Sequence, residues 1–432
     1  MHVDISEILK GKTGSVNIAG WIQSKRSSGG IQFLTLRDGS DFIQCTLYKK
    51  KFDKKTYDEV EKLSIQSVVE IEGIVKKDDR AKEGYEVAVE RIKILSKAQG
   101  HYPITKKSHG MKFLLDNRHV SLRSKKIHAT MQIREKVIDF ARGWLKQNGY
   151  KEIQAPILTG MTQEGGAKLF EVKYFDQKAY LSQSWQLYGE AIMHGFGKCF
   201  TIAPSFSAES SRTRRHLAEF WQLEVEIPFC DFENAMKIEE KLIRYILENV
   251  AKDCTRELSE LGRNAEDLKM AKGFQNITYD NAIKILEKDG MPAKWGEVLG
   301  ADEEDKLIKH FDTPFFITNL PKNIVAFYHK EDANDSKLCL CGDLLAPNCG
   351  NLSFCGAGIG ERIDDEKQLI ERMEEMKLDM KKYQWYVDLR KWGTVQHSGF
   401  AIGIERLLML ICNLKNIRNA TLFPRTMNRL YP

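Results

Sequence analysis

Apolar and polar positions alternate along residues 15–97, in the runs SVNIAGWIQ, IQFLTLRDGSDFIQCTLY, QSVVEIEGIVKK and GYEVAVERIKIL. A period of two broken by Gly and Asp predicts four or five short strands, and that many strands in so short a stretch predict a small closed β barrel. Asp38-Gly39 centres a hairpin, and a Lys-rich helix over about residues 51–63 interrupts the strands. From Ala129 the period changes to 3.6, and MQIREKVIDFARGWLKQNGY predicts an amphipathic helix ending near Gly149. The strand-like runs LFEVKYF, KCFTIAP and FWQLEVEIPF follow. A long helix from about Asn234 to Arg256, a Lys/Glu-rich helix from about Glu366 to Met380 and the closing HSGFAIGIERLLMLICNL complete the chain. Strands and helices segregate in blocks, without regular βαβ units, which predicts an antiparallel α+β domain after the barrel.

Composition narrows the class. The chain has 432 residues, 42% hydrophobic and 29% charged, which argues against disorder, a collagen-like repeat or a disulfide scaffold and suggests two or three domains. No apolar run approaches the ~20 residues of a membrane span. The opening MHVDISEILKGK has an early acid and no apolar core, which speaks against a secretory signal. Nine cysteines without paired spacing fit a reducing, cytoplasmic compartment.

The net charge of +6 is mild, but its distribution is not even. Between His101 and Lys126 stand seven Lys or Arg against the single acid Asp116. This divides the chain into a barrel at 1–100, a basic hinge at 101–126 and a larger domain at 127–432. The hinge reads either as a solvated linker or as a segment that contacts phosphates.

Two motifs carry chemistry. Arg212-Thr-Arg-Arg-His-Leu-Ala-Glu-Phe220 sits between two strand-like runs, where a loop would present cations and one aromatic ring to a planar anionic ligand. A basic surface hairpin is the plainer alternative. Gly399-Phe-Ala-Ile-Gly-Ile-Glu-Arg406 is a glycine-spaced strand running into an apolar helix, with Arg406 near the helix start.

Taken in order, with Pro156 after the long helix, these segments resemble motifs 1, 2 and 3 of the class II aminoacyl-tRNA synthetases. The finer pattern is similar to the asparaginyl branch of the aspartyl, asparaginyl and lysyl subclass. It is carried by GWIQSKRSSGGIQFLTLRDGSDFIQ, LLDNRHVSLRS, EGGAKLFEVKYF, AYLSQSWQLYGE, SRTRRHLAEFWQLEVE, DLRKWGTVQHSGF and FPRTMNRLYP, and so covers nearly the whole chain. The resemblance implies an N-terminal OB-fold barrel that binds an anticodon, and a catalytic domain on an antiparallel sheet, dimerised through the motif 1 helix. It implies ATP, Mg²⁺, an amino acid and a tRNA with an asparagine-type anticodon as ligands. Phe33 would stack on the central anticodon base and Gln44 hydrogen-bond it, with Glu86 a weaker partner. Glu164 in the EGG loop and Gln186 would meet the substrate ammonium. Glu190 and Arg390 would read its side chain, with Glu224 lining the same pocket. Glu209, Arg215 and His216 would serve ATP from the motif 2 loop, Phe220 would stack on adenine, Arg406 would face the γ-phosphate, and Asp343 would lie near the magnesium.

The pattern breaks at four places. Ser207 stands where motif 2 has an Arg that grips the α-phosphate, and Asn351 lies where a metal-holding Glu is expected. Trp185 replaces a Gly and sets a large ring where substrate backbone would pass; Ala401 replaces a motif 3 Gly. Cys339, Cys341, Cys349 and Cys355 lie close together, but their spacing is not that of paired Cys-x-x-Cys zinc ligands and suits buried thiols. Two readings follow: a ligase that activates asparagine or a close analogue and charges tRNA, or a paralogue with lost or altered adenylation in a biosynthetic or regulatory role. A protein using the barrel alone to bind RNA would have no need of Arg215, His216, Arg390 and Arg406.

Overall fold

The computed structural model describes every residue except 1, 82, 106, 162–168, 271 and 354–356. The chain forms two compact units, 1–109 and 110–432. Their boundary falls inside the basic segment 101–126, whose later part folds with the second unit. There Arg118 is buried and donates to the Arg418 carbonyl at 3.0 Å, and the Ser121 hydroxyl donates to the Leu114 carbonyl at 2.8 Å.

The first unit is a closed barrel of β1 (Gly14–Ser28), β2 (Ile31–Arg37), β3 (Phe42–Tyr48), β4 (Val68–Lys77) and β5 (Tyr85–Ser96), in the order β1-β2-β3-β5-β4 with β4 closing on β1. The alternation seen in sequence is the alternation of burial: Val16, Ile18 and Ile22 from β1 meet Leu34 and Leu36 from β2 and Val69, Ile71 and Val75 from β4 inside. Asp38 builds the hairpin by accepting from the Ser40 and Asp41 backbone N–H groups. The Lys-rich stretch is α1 (Lys54–Lys62), capped by Asp53, whose carboxylate accepts from Thr56 N at 2.9 Å.

The second unit is built on one large sheet. Its strands are β6 (Lys151–Glu152), β7 (Cys199–Phe206), β8 (Glu219–Pro228), β9 (Gln275–Thr278), β10 (Phe315–Thr318), β11 (Cys341–Ala346), β12 (Gly350–Asn351), β13 (Ile359–Glu361) and β14 (His397–Gly403). The order is β9-β10-β11-β13-β14-β8-β7-β6, with β12 paired to β11. Neighbours are antiparallel through the centre and parallel at the two outer pairs, β9–β10 and β6–β7. The sheet is therefore mixed only at its edges.

Two long helices cover one face. The first is α2 (Lys125–Gln147), which starts at the Ser124 cap and buries Ile133, Val137, Ala141 and Leu145 at helical spacing. A shorter helix, α3 (Gln186–Phe196), lies between them in the chain, and the second long helix is α4 (Phe232–Asp253). They share a core with Leu223, Val225 and Ile227 of β8, Phe400 and Ile402 of β14, and the apolar helix that follows β14. The Lys/Glu-rich stretch is the helix α5 (Glu366–Glu375), shorter than expected; a separate helix, α6 (Met380–Lys391), follows, and the final helix is α7 (Ile404–Cys412). The chain turns between α5 and α6 at Lys377, whose φ is 55°. No helix among the described residues is long and apolar enough to cross a membrane.

Candidate active site

A period of two on β8 decides where polar chemistry can gather. Leu223, Val225 and Ile227 face the long helices, so Phe220, Gln222, Glu224 and Glu226 face the other way. Antiparallel register sets Ser205, Ala203, Thr201 and Cys199 opposite these four on β7, and Ala401 and Gly399 opposite Glu224 and Glu226 on β14. The ladder continues one step past β7, where Ser207 N donates to the Ala218 carbonyl at 3.0 Å. Ser207 thus belongs to the same polar face and is completely buried.

The inner end of this face is a sealed network of charges. Glu190 on α3 accepts from Gln186 Nε2 at 2.9 Å, Tyr386 Oη at 2.6 Å, Arg390 Nη2 at 2.5 Å and His397 Nε2 at 3.1 Å. Neither the Glu190 nor the Arg390 side chain has any exposure. Burial by itself would raise the Glu190 carboxyl; Arg390, His397 and Arg362 overcome it and hold the group well below the usual range. Beside it, Arg362 binds Glu226 at 3.1 Å and donates to Gln186 Oε1 at 2.7 Å. A Cβ at Gly399 would come within 2.2 Å of Glu226 Oε2, so the pair requires glycine there. Glu226 and His397 fall inside segments that carry the resemblance without being singled out there, Arg362 and Tyr386 fall outside those segments, and the alternation along FWQLEVEIPF hints at Glu226.

Glu190, Glu226 and His397 are spaced closely enough for a metal, yet Arg390 and Arg362 already neutralise them. Glu224 accepts from the Ser184 hydroxyl and from Trp185 N at 3.0 Å, and burial lifts its carboxyl to about 7.

Arg215, Phe220 and Arg406 line one adjoining cleft. Arg406 donates to the Asn351 carbonyl at 2.8 Å and to the Ser353 carbonyl. Arg215 pairs with Glu304 at 3.0 Å and with Asp305. His216 Nδ1 lies 3.9 Å from Glu209, and burial, with Arg406 nearby, lowers its pKa and keeps the ring neutral. A second cleft, lined by Glu304, Asp343, Asn351 and Arg406, opens on the other side of Arg406. Asp343 Oδ1 accepts from Gly358 N at 3.0 Å and burial raises its carboxyl. Oxygen donors of this kind suit a hard cation such as magnesium.

Glu164 and Cys355 lie outside the described residues. Cys339, Cys341 and Cys349 are buried free thiols, and burial pushes Cys349 up to about 12.

On the barrel, β2 turns Leu34 and Leu36 inward and leaves Phe33 and Thr35 outside. Phe33 is half-buried, and the Arg26 guanidinium of β1 sits 4.3 Å from its ring centroid. Gln44 is opposite Thr35 in register and donates to Glu86 at 3.2 Å.

The family model described as tRNA synthetases class II (D, K and N) matches residues 110–427, and that of an OB-fold nucleic acid binding domain matches residues 16–95. The asparagine–tRNA ligase of Thermococcus gammatolerans is 44% identical over 430 residues, covering 99% of this chain and 98% of that one. That of Pyrococcus abyssi is 44% identical over 432 residues. The crystal structure of asparaginyl-tRNA synthetase from Pyrococcus horikoshii complexed with asparaginyl-adenylate superposes with a TM-score of 0.93 at 41% identity, covering all of both chains. The chain belongs to the class II tRNA synthetases.

In this synthetase the Trp185 ring is buried. It turns beneath α3 and packs with Met193 and Cys199, in the space left by the missing side chain of Gly189. Of the other departures, Ser207 and Ala401 do stand on the polar face, and Asn351 lines the Asp343 cleft.

Proposed function

We propose that the protein activates asparagine with ATP, releasing pyrophosphate to form the aminoacyl-adenylate, and then transfers the acyl group to tRNA. The observation that carries this reading is the likeness over the full chain to an asparaginyl-tRNA synthetase holding its adenylate. A paralogue with lost or altered adenylation is not favoured by that likeness.

The chemistry asked of the residues is modest. The asparagine carboxylate attacks the α-phosphorus, and catalysis consists of holding both reactants and stabilising the charge that develops. Phe220 takes the adenine, Arg215 and His216 take phosphate oxygens with Glu209 behind them, and Arg406 lies at the γ-phosphate end. The substrate ammonium is met by carboxylates, Glu224 among them and Glu164 from its loop. Glu190 and Arg390 act from behind, because their donors and acceptors are filled by each other and by Gln186, Tyr386 and His397. They fix Gln186 and Arg362 at the pocket wall. A buried set of this kind rejects analogues by leaving polar groups unpaired. Asp343 would hold the magnesium, which neutralises phosphate charge when bound.

The anticodon of the tRNA is read on the barrel by Phe33, Gln44 and Glu86, with Arg26 over the ring. The protein works in the cytoplasm as a homodimer paired through α2. Asparagine-dependent exchange of pyrophosphate into ATP, followed by charging of total tRNA, tests the reading. Absence of exchange in the protein as it stands, with exchange gained by Ser207→Arg, would overturn it in favour of altered chemistry.

A further inference from the structure

The cleft beside Arg406 contains a carboxylate that no motif singles out. Glu304 stands on a short helix, Ala301–Leu307, distant in sequence from both the Arg215 loop and β11. Its Oε2 nevertheless lies 3.0 Å from Arg215 Nη1 and 3.2 Å from the Asn351 backbone N. It lines the same cleft as Asp343.

Asn351 is committed elsewhere. Its Oδ1 accepts from Ser353 N at 2.9 Å and from the Ser353 hydroxyl at 2.8 Å, which ties the amide oxygen into its own turn. A hard divalent cation is held by carboxylate oxygens, and an amide oxygen engaged in this way is a poor substitute. Glu304 makes its hydrogen bonds to Arg215 and to the Asn351 backbone through Oε2; among the described residues Oε1 makes no hydrogen bond.

We propose that Glu304 is the second carboxylate, beside Asp343, that holds the divalent cation accompanying ATP. The inference rests on the synthetase reading of the cleft. One oxygen of Glu304 is oriented by Arg215 and by the Asn351 N–H, and the other is left for the cation. The acid that position 351 lacks is thereby supplied from a helix nearly fifty residues earlier, brought to the same cleft only by the fold.

Mn²⁺ binding to the full chain, in the presence of a non-hydrolysable ATP analogue and read from the electron paramagnetic resonance of free Mn²⁺, tests this. The isosteric Glu304→Gln variant is expected to weaken Mn²⁺ at least about tenfold. Adding Asn351→Glu to Glu304→Gln is expected to recover most of the loss, which a merely structural role would not allow. Asp343→Asn serves as the reference and loses Mn²⁺ affinity. Unchanged Mn²⁺ affinity in Glu304→Gln, with a loss in Asp343→Asn, overturns the inference and leaves the synthetase reading intact. Tighter metal-free nucleotide binding in Glu304→Gln at unchanged Mn²⁺ affinity also overturns it, because Glu304 would then be competing with phosphate for Arg215. Unchanged Mn²⁺ affinity in both variants overturns the cation site and the reading of this cleft together.

Discussion

The ring of Trp185 fills the place of a side chain at position 189: a Cβ on Gly189 would lie 2.3 Å from Trp185 Cζ3. The two residues are one turn apart at the start of α3, the helix that carries Gln186 and Glu190. Alanine ordinarily stabilises a helix interior over glycine by up to about 1 kcal/mol. Here the sign reverses. Gly189→Ala should destabilise the protein by about 1–3 kcal/mol through overpacking, and combining it with Trp185→Ser should recover part of the loss. Urea denaturation of the two single variants and the double variant checks this; simple additivity would show that the ring and position 189 are independent.

The Glu190–Arg390 pair has no exposure, and each partner is the other's counter-charge. Arg390→Met leaves a buried carboxylate short of its main cation and should cost about 3–5 kcal/mol. Glu190→Gln should raise the KM for asparagine more than that for ATP, because it frees Gln186 at the pocket wall without touching the phosphate loop. Equal changes in both constants would count against a positioning role.

Glu224 gives a pH dependence of definite sign. Its carboxyl is raised from 4.5 to about 7, so the folded state holds this proton more tightly than the unfolded chain does. The group's contribution to stability is therefore complete below the unfolded value and is lost as pH rises toward 7. Binding a substrate ammonium needs the ionised form, so asparagine affinity should climb across about pH 6–8. Calorimetric titration of asparagine should show that slope in the parent and a flat profile in Glu224→Gln.

On the barrel, Phe33 is the ring available to a base, with Arg26 already over it. Phe33→Ala should weaken tRNA binding by about 1–3 kcal/mol while leaving asparagine-dependent exchange unchanged. Unaltered affinity in filter binding would remove the anticodon role from this face.

Much of this was legible in the chain. Strict alternation made residues 15–97 a barrel, and spacing in threes and fours marked α2 and α4, because both patterns are local consequences of which face meets the core. Boundaries were less legible. The helix expected over about 366–380 ends at Glu375, the chain turns at Lys377, and a separate helix starts at Met380.

The candidate site divides in the same way. Motif spacing marked Arg215, Phe220 and Arg406, whose residue types carry their chemistry openly. Glu190 and Arg390 were marked as neighbours of the substrate, but their direct pairing, and the further partners Tyr386 and His397, did not show, since all three approach Glu190 from about two hundred residues away. The direction of the Trp185 ring did not show, because a sequence states the size of a side chain and not where it turns. Local periodicity and motif order thus determined the elements, the family and most candidate ligands. Which side chains meet, which charges are sealed away and which carboxylate stands beside Asp343 were decided by the tertiary structure, because pairing across a sheet depends on register between segments that no local pattern encodes.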